Sequence, residues 1–281
     1  MTDEKRIDEA LRDAAGQLQS VSDGARLDAE ILLALALDVD RSYLFGHPDD
    51  VMDAVTCARF SALIARRADG VPLAYITGEK EFWSLEMMVS SDTLVPRPET
   101  ELLVQLALDR IDRDSTAAIL DLGTGSGAIA LAIARERPNS EITATDISAP
   151  ALAIAAQNAR QLDAGNVQFL EGDWVAPVCG RTFDLIVSNP PYVCSNDPAL
   201  DTLRHEPRSA LESGLDGLRD IRTLAADCGG ILRAGGQMLV EHGADQCSAI
   251  EQILREHGWT DIECHRDLAG LPRVTSAKPA P

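Results

Sequence analysis

The sequence predicts an α/β protein in which a mostly parallel sheet, covered by helices on both faces, follows a small helical domain. Three observations carry this expectation. From Ala117 onward, short apolar runs alternate with helical stretches, the order that right-handed βαβ crossovers produce. A glycine-rich turn directly follows the first of these runs. The chain before residue 75 or so shows helical periodicity only.

The 281 residues leave room for one large or two unequal domains. With 45% apolar and 25% charged residues, the composition is that of an ordinary globular protein.

Taken in order, Ile7, Leu11, Ala14 or Ala15, and Leu18 share one helical face. Leu27, Ile31 and Leu35 repeat the pattern, and a third helix is expected from Val51 to Arg67. Breaks at Gly24 and Gly46-His47-Pro48 separate them, so residues 1–75 read as a helical domain. Residues 76–98 read as a linker containing a β-hairpin, because Pro72, Gly78, Pro96 and Pro98 punctuate a stretch carrying Tyr75, Phe82, Trp83 and Val89. Residues 99–281 form the α/β domain. It opens with Glu99-Thr100-Glu101 as the acidic first turn of a helix whose apolar run extends to Ile111.

Strands are then expected at Ala117–Leu122, Glu141–Asp146, Val167–Leu170, Phe183–Ser188 and Gln237–Glu241. Thr260–His265 and Arg273–Ala277 pair as an antiparallel edge, and Lys278–Pro281 reads as a frayed tail. In such a sheet, ligands bind at the carboxyl ends of the strands.

Acidic residues outnumber basic ones 45 to 25, a net charge of -20, which argues against a general nucleic-acid binder. The same charge serves solubility or steers a basic partner; both readings stand. The six cysteines are scattered without zinc or redox spacing, and read as reduced and structural. The five histidines share no metal-binding pattern, so no metal is assigned. No secretory signal is visible, and the longest apolar run, Ile31–Leu37, is too short to span a bilayer. A cytoplasmic protein without membrane contact is expected.

Three motifs carry chemistry. Gly123-Thr124-Gly125-Ser126-Gly127 joins a strand to a helix, and lets a ligand approach backbone N–H groups at a positive helix terminus. The same turn satisfies a dinucleotide-binding fingerprint, so NAD is a rival ligand. Asp146 ends the next strand, 23 residues beyond Gly123. There it either accepts hydrogen bonds from ribose hydroxyls or caps the following helix, with Ser148 as competitor for the cap.

The third motif discriminates. The strand Phe183–Ser188 runs into Asn189-Pro190-Pro191-Tyr192. Prolines carry no N–H, so carbonyl acceptors of this turn face a ligand without competing donors. A planar NH₂ group suits such acceptors. An amide nitrogen is a poor nucleophile; the Asn189 oxygen and the Pro190 carbonyl, accepting both its hydrogens, orient it and stabilise the positive charge that develops. Tyr192 stacks on the planar group.

On these residues the chain resembles the HemK/PrmC family of release factor glutamine methyltransferases. The resemblance covers nearly the whole sequence: PLAYITGEKEFWSLEMMVSSDTLVPRPETELL from Pro72, EPRSALESGLDGL from Glu206 and DLAGLPRV from Asp267 add to DLGTGSG and NPPY. Arg26 to Leu33 fits as well. Ser213-Gly214 stands where family members often carry a glycine pair.

The resemblance implies a Rossmann-like class I methyltransferase domain with a seven-stranded sheet. It implies S-adenosyl-L-methionine as cofactor, S-adenosyl-L-homocysteine as its product, and transfer to the glutamine of the Gly-Gly-Gln motif in class I peptide chain release factors. Gly123 to Gly127 then hold the methionine portion, Asp146 the ribose, and Trp174 flanks the adenine; a plain core role for Trp174 stays open. Asn189, Pro190, Pro191 and Tyr192 bind the glutamine, with Asn189, Pro190 and Tyr192 acting in catalysis and Asn189 also reaching the cofactor. The helical domain is implied to dock the release factor, and the enzyme is expected to be a monomer. The stretch from Pro72 to the PRPETE segment either braces the domains or lines the substrate mouth. A nucleic-acid exocyclic-amine N-methyltransferase uses the same NPPY logic and is the main alternative. An NAD-dependent oxidoreductase and a non-catalytic binding module are weaker ones.

Overall fold

A computed structural model describes residues 4–280. The chain forms two compact units, Met1–Gly78 and Glu79–Pro281.

The first unit contains β1 (Lys5–Arg6), α1 (Ile7–Leu18), α2 (Ala25–Leu37), α3 (Arg41–Gly46), β2 (Val51–Met52), α4 (Ala54–Ala68) and α5 (Leu73–Thr77). Ile7, Leu11 and Leu18 of α1 are buried against Leu32, Leu33, Phe60 and Ile64. The buried face of α2 differs from the one its periodicity suggests. Ala25, Ala29, Leu32, Leu33 and Ala36 are buried, while Leu27 is 43% exposed. The run Ile31–Leu37 is apolar all round, so spacing alone does not select a face; the Asp28–Arg67 ion pair at 2.8 Å fixes it. The helix expected from Val51 starts at Ala54, because the Asp53 side chain caps it by accepting from the Thr56 N–H at 2.7 Å. Val51 and Met52 pair instead with Arg6 and Lys5. The one-and-a-half turns of α3 bury only Leu44 and leave no period to read.

The second unit opens with the hairpin β3 (Glu79–Phe82) and β4 (Leu85–Met88). Its two-residue turn, Trp83-Ser84, has φ of 53° and 55°, the left-handed pair that matches strand twist but costs non-glycine residues energy. The Glu101 carboxylate steadies this turn by accepting the Trp83 N–H at 2.9 Å. Phe82, Leu85 and Met87 pack into the same core as Leu103, Val104 and Ile129.

A 3₁₀ turn, Pro98–Thr100, leads into α6 (Glu101–Leu108). The sheet and its helices follow: β5 (Ala118–Leu122), α7 (Ala128–Glu136), β6 (Glu141–Asp146), α8 (Ala149–Gln161), β7 (Val167–Glu171), β8 (Phe183–Ser188), the short α9 (Ala199–Thr202), α10 (Arg219–Asp227), β9 (Leu232–Glu241), α11 (Cys247–Glu256), β10 (Trp259–Arg266) and β11 (Pro272–Pro279). The seven strands lie in the order β10-β11-β9-β8-β5-β6-β7. Neighbours from β9 to β7 are parallel. β10 and β11 pair antiparallel at one edge of the sheet as expected, with β10 outermost and β11 between it and β9, antiparallel to both. The tail is not free at Lys278, which pairs with Thr260, while Pro279 pairs with Trp259. β10 supplies the ladder that the composition of the tail does not announce; Pro281 lies outside the described residues.

Strand order reverses between β5 and β8. At such a switch point the loops leaving the two strands part and open a crevice at their carboxyl ends. The glycine turn leaves β5 and Asn189 leaves β8, so both motifs arrive there.

Candidate active site

A cavity of about 490 Å³ occupies this crevice, within the range of roughly 300–1,000 Å³ typical of small-molecule sites. Gly123, Thr124, Gly125, Ser126, Asp146 and Trp174 line one part of it, and Asn189 and Pro191 another. Gly127, Pro190 and Tyr192 are not among the residues that line it.

The loop after β5 is held open by its backbone. Gly123, Gly125 and Gly127 take φ of 74°, 56° and 84°. The Gly123 and Thr124 N–H groups both donate to the Thr145 carbonyl at 2.9 Å, stitching the loop to β6. Gly127 begins α7 where a Cβ would stand 3.2 Å from Ala155 Cβ, so it lets α7 pack on α8. Beneath the loop, Asp121 is fully buried. Thr124 Oγ1 donates to its Oδ2 at 2.6 Å, and Oδ1 has no partner among the described residues. Burial pushes this carboxyl up to about 7.

Asp146 and Ser148 divide the two roles that sequence left open. Ser148 caps α8, its Oγ accepting the Ala151 N–H at 3.3 Å. Asp146 instead accepts the Gly125 N–H on Oδ2 and the Ser148 N–H on Oδ1, each at 2.8 Å. Each carboxylate oxygen keeps a lone pair for another donor, and the residue stands on the cavity wall. Trp174 combines both of its readings: it packs against the core around Leu120 and Leu122 and also lines the cavity. Its φ of 41° turns the ring toward Gly123, where an added Cβ would meet Cζ3 at 3.4 Å.

On the opposite side, Asn189 Nδ2 donates to Thr100 Oγ1 at 3.2 Å. Tyr192 is half-buried, and desolvation, with the nearby Glu241 charge, raises its phenol to about 12. It therefore stays protonated at neutral pH. The Tyr192 carbonyl accepts from Gln246 Nε2 at 3.0 Å, which fixes the turn after Pro190-Pro191. Glu241, the last residue of β9, is 1% exposed and pushed up to about 7 by burial, although Thr100 and Asn189 beside it pull the other way.

The segment from Asp92 to Thr100 supplies a further wall through Asp92, Thr93, Leu94, Pro96, Arg97 and Thr100. Glu206 anchors it, accepting the Val95 N–H at 3.1 Å and pairing with Arg97 at 2.5 Å. Ser213, at the position noted for its departure from a glycine pair, accepts the Asp220 N–H on Oγ at 2.9 Å. It thereby fixes the first turn of α10, whose Asp220 and Thr223 face the cavity.

Comparison with known proteins bears on what this cavity serves. The PrmC N-terminal domain model matches residues 9–78, and the methyltransferase small domain model matches residues 95–214. The release factor glutamine methyltransferase of Xylella fastidiosa (strain 9a5c) is 51% identical over 252 residues, covering 89% of this chain and 92% of that protein. The chain belongs to the release factor glutamine methyltransferases. The family member of Coxiella burnetii is 45% identical, with 97% of this chain and 98% of that protein covered. Among solved structures, a methyltransferase from Pyrococcus furiosus matches the fold with a TM-score of 0.54 and 18% identity, covering 79% of this chain and 98% of that one. Within this family the α/β unit is the methyltransferase fold that the glycine turn and the strand order describe.

Sequence reasoning named the loop, Asp146, Trp174 and NPPY. It missed Thr100 and Gln246, and left Glu206 and Glu241 between touching a ligand and capping or surface pairing. Each acts through a partner far away in sequence, and only the strand end at Glu241 and the EPR segment at Glu206 gave a local signal.

Proposed function

We propose that this enzyme transfers the methyl group of S-adenosylmethionine to the side-chain amide nitrogen of the Gly-Gly-Gln glutamine in class I release factors. The observation that carries this reading is the shared cavity: the glycine loop, Asp146 and Trp174 face Asn189 across the switch point between β5 and β8.

The residues fit the cofactor. The loop offers a wall free of side-chain bulk beside a helix N-terminus, Asp146 retains acceptor capacity for ribose hydroxyls, and the Trp174 ring gives a flat apolar surface. When bound, S-adenosylmethionine supplies an electrophilic methyl on a sulfonium centre. The chain's part is orientation. With Asn189 Nδ2 engaged by Thr100, Oδ1 is left to accept one amide hydrogen of the substrate glutamine, and the Pro190 carbonyl accepts the other. Both acceptors stabilise positive charge growing on the nitrogen as the methyl arrives. Tyr192, a neutral phenol, supports the NPPY turn and offers its ring to the planar amide. The methylated nitrogen is acidic, so its proton leaves without a dedicated strong base.

A net charge of -20 opposes the nucleic-acid alternative, and the relatives named above support the protein substrate. No helix among the described residues is long and apolar enough to cross a membrane; the cytoplasm, where release factors act, is the proposed location, and a monomer the proposed state. The test is a methyl-transfer assay with labelled S-adenosylmethionine and unmethylated release factor, followed by mass spectrometry of the Gly-Gly-Gln peptide. Methyl gain on that glutamine, lost in Asn189→Ala, supports the reading. Transfer to DNA or RNA instead overturns it.

A further inference from the structure

The chain that leaves Tyr192 returns to its own root. The Val193 N–H donates to the Leu211 carbonyl at 2.8 Å, and the Val193 carbonyl accepts the Ser213 N–H at 2.9 Å. Residues 194–210 are therefore a closed excursion standing on the turn that carries Asn189. Pro207, Ser209 and Ala210 of this excursion line the cavity, as do Pro96, Arg97 and Thr100 of the segment before α6.

Glu206 joins the two walls. Its side chain is 2% exposed. Oε2 accepts the Val95 N–H at 3.1 Å, and Oε1 accepts from Arg97 Nη2 at 2.5 Å. Both partners donate, so each needs an acceptor. A carboxylate offers one on each oxygen, whereas a glutamine amide offers one acceptor and one donor. The Arg97 carbonyl accepts the Thr100 N–H at 3.1 Å, closing the 3₁₀ turn. Thr100 Oγ1 then accepts from Asn189 Nδ2 at 3.2 Å. A continuous line of hydrogen bonds and short backbone steps thus runs from Glu206 to Asn189. A buried ion pair is often no more stabilising than apolar residues of the same volume. What this pair supplies beyond them is a fixed geometry for the wall.

We infer that Glu206 is a positioning residue: by clamping Val95 and Arg97 it sets where Thr100 stands and, through Thr100, how Asn189 presents its oxygen to the reacting amide. This rests on the methyl-transfer reading above.

Glu206→Gln tests the inference, because glutamine keeps the shape but turns an N–H donor onto either Val95 or Arg97. Thr100→Val, which removes the hydroxyl that engages Asn189, and the double variant complete a cycle. Glu206→Gln should lower kcat for methyl transfer by about tenfold or more in the otherwise wild-type enzyme. In the Thr100→Val background it should lower kcat by no more than about twofold. Hydrogen exchange by NMR gives a second reading: the Val95 and Thr100 amides should exchange about tenfold faster in Glu206→Gln, while the amides of β5 and β8 keep their wild-type rates. An unchanged kcat, or losses that multiply in the double variant, overturn the inference. So does unchanged exchange at Val95 and Thr100. Faster exchange that spreads through β5 and β8 marks a purely structural role and overturns it too. If wild type fails to methylate release factor, the proposed function falls, while the exchange measurement still decides whether Glu206 holds Thr100 in place.

Discussion

Gly217 presses against the Tyr192 carbonyl so closely that a Cβ at position 217 would fall well inside van der Waals contact with that oxygen and also meet Gln246 Nε2 at 2.8 Å. Its φ of 70° adds a second reason for glycine. Gln246 Nε2 bonds both the Tyr192 and the Gly217 carbonyls, at 3.0 and 3.3 Å. Three segments thus meet on one carbonyl of the NPPY turn. Gly217→Ala must push that turn away. A displacement of this size is expected to lower kcat by about 10- to 100-fold, with S-adenosylhomocysteine affinity by calorimetry unchanged. A variant with wild-type turnover would show that the turn tolerates the shift.

Asp146 braces the glycine loop through the Gly125 and Ser148 N–H groups. Asp146→Ala removes both bonds together with the acceptor offered to ribose. Hydrogen bonds to a charged group contribute about 1.5–3 kcal/mol, so affinity for S-adenosylhomocysteine should fall by roughly 10- to 100-fold. Calorimetric titration reads this directly. Equal affinity in the variant would remove Asp146 from the binding site.

Two buried carboxyls shape the pH dependence of stability. Asp121 and Glu241 are raised from their ordinary values of 3.8 and 4.5 to about 7, mainly by burial. Between pH 4 and 7 the folded protein therefore holds protons that the unfolded chain has released. The stability these groups contribute is present below the unfolded pKa and is lost as pH rises through about 7. The loss is on the order of 4 kcal/mol for Asp121 and about 3 kcal/mol for Glu241. Urea melts at pH 5 and pH 8 should show it, and Asp121→Asn should flatten the difference. An unchanged difference in that variant would falsify the assignment to Asp121.

Asn158, on α8, is fully buried and bonds three backbone groups. Its Oδ1 accepts the Met88 N–H at 2.7 Å, and Nδ2 donates to the Met88 carbonyl at 3.0 Å and the Ser126 carbonyl at 2.9 Å. One side chain thus ties the β3–β4 hairpin to the glycine loop. Asn158→Ala strands these groups and should cost about 3 kcal/mol. The expected urea curve has a lower midpoint at unchanged slope.

The sequence was legible where chemistry repeats locally. Glu141–Asp146 and Phe183–Ser188 are strands with the expected bounds, because the first alternates polar and apolar residues, the second is a short apolar run, and each closes on a polar residue. β9 was read only from Gln237, although it begins at Leu232. Arg233 and the pair Gly235-Gly236 interrupt its apolar pattern, and the ladder to β8 shifts register at that point. The loop, Asp146 and NPPY were legible because each motif joins a strand end to a turn. Asn158, Gln246 and Gly217 were not. Asn158 lies in a helix like any other polar residue, and the Met88 it holds is 70 positions away. Periodicity does not report which polar group a fold will bury, nor which distant backbone group will need it.

Among the described residues, the reversed strand β11 is the sole sheet neighbour of β10 and the second neighbour of β9. A folding chain that has joined its parallel strands still presents an open edge along Met238–Glu241, and β10 then has no place in the sheet. Open edges of this kind template association with other chains. Insertion of β11 covers the β9 edge and seats β10 in the sheet at once. Thr275→Pro, which deletes an N–H in the middle of that strand, would leave its mark on refolding yield and aggregation before it altered anything in the cavity.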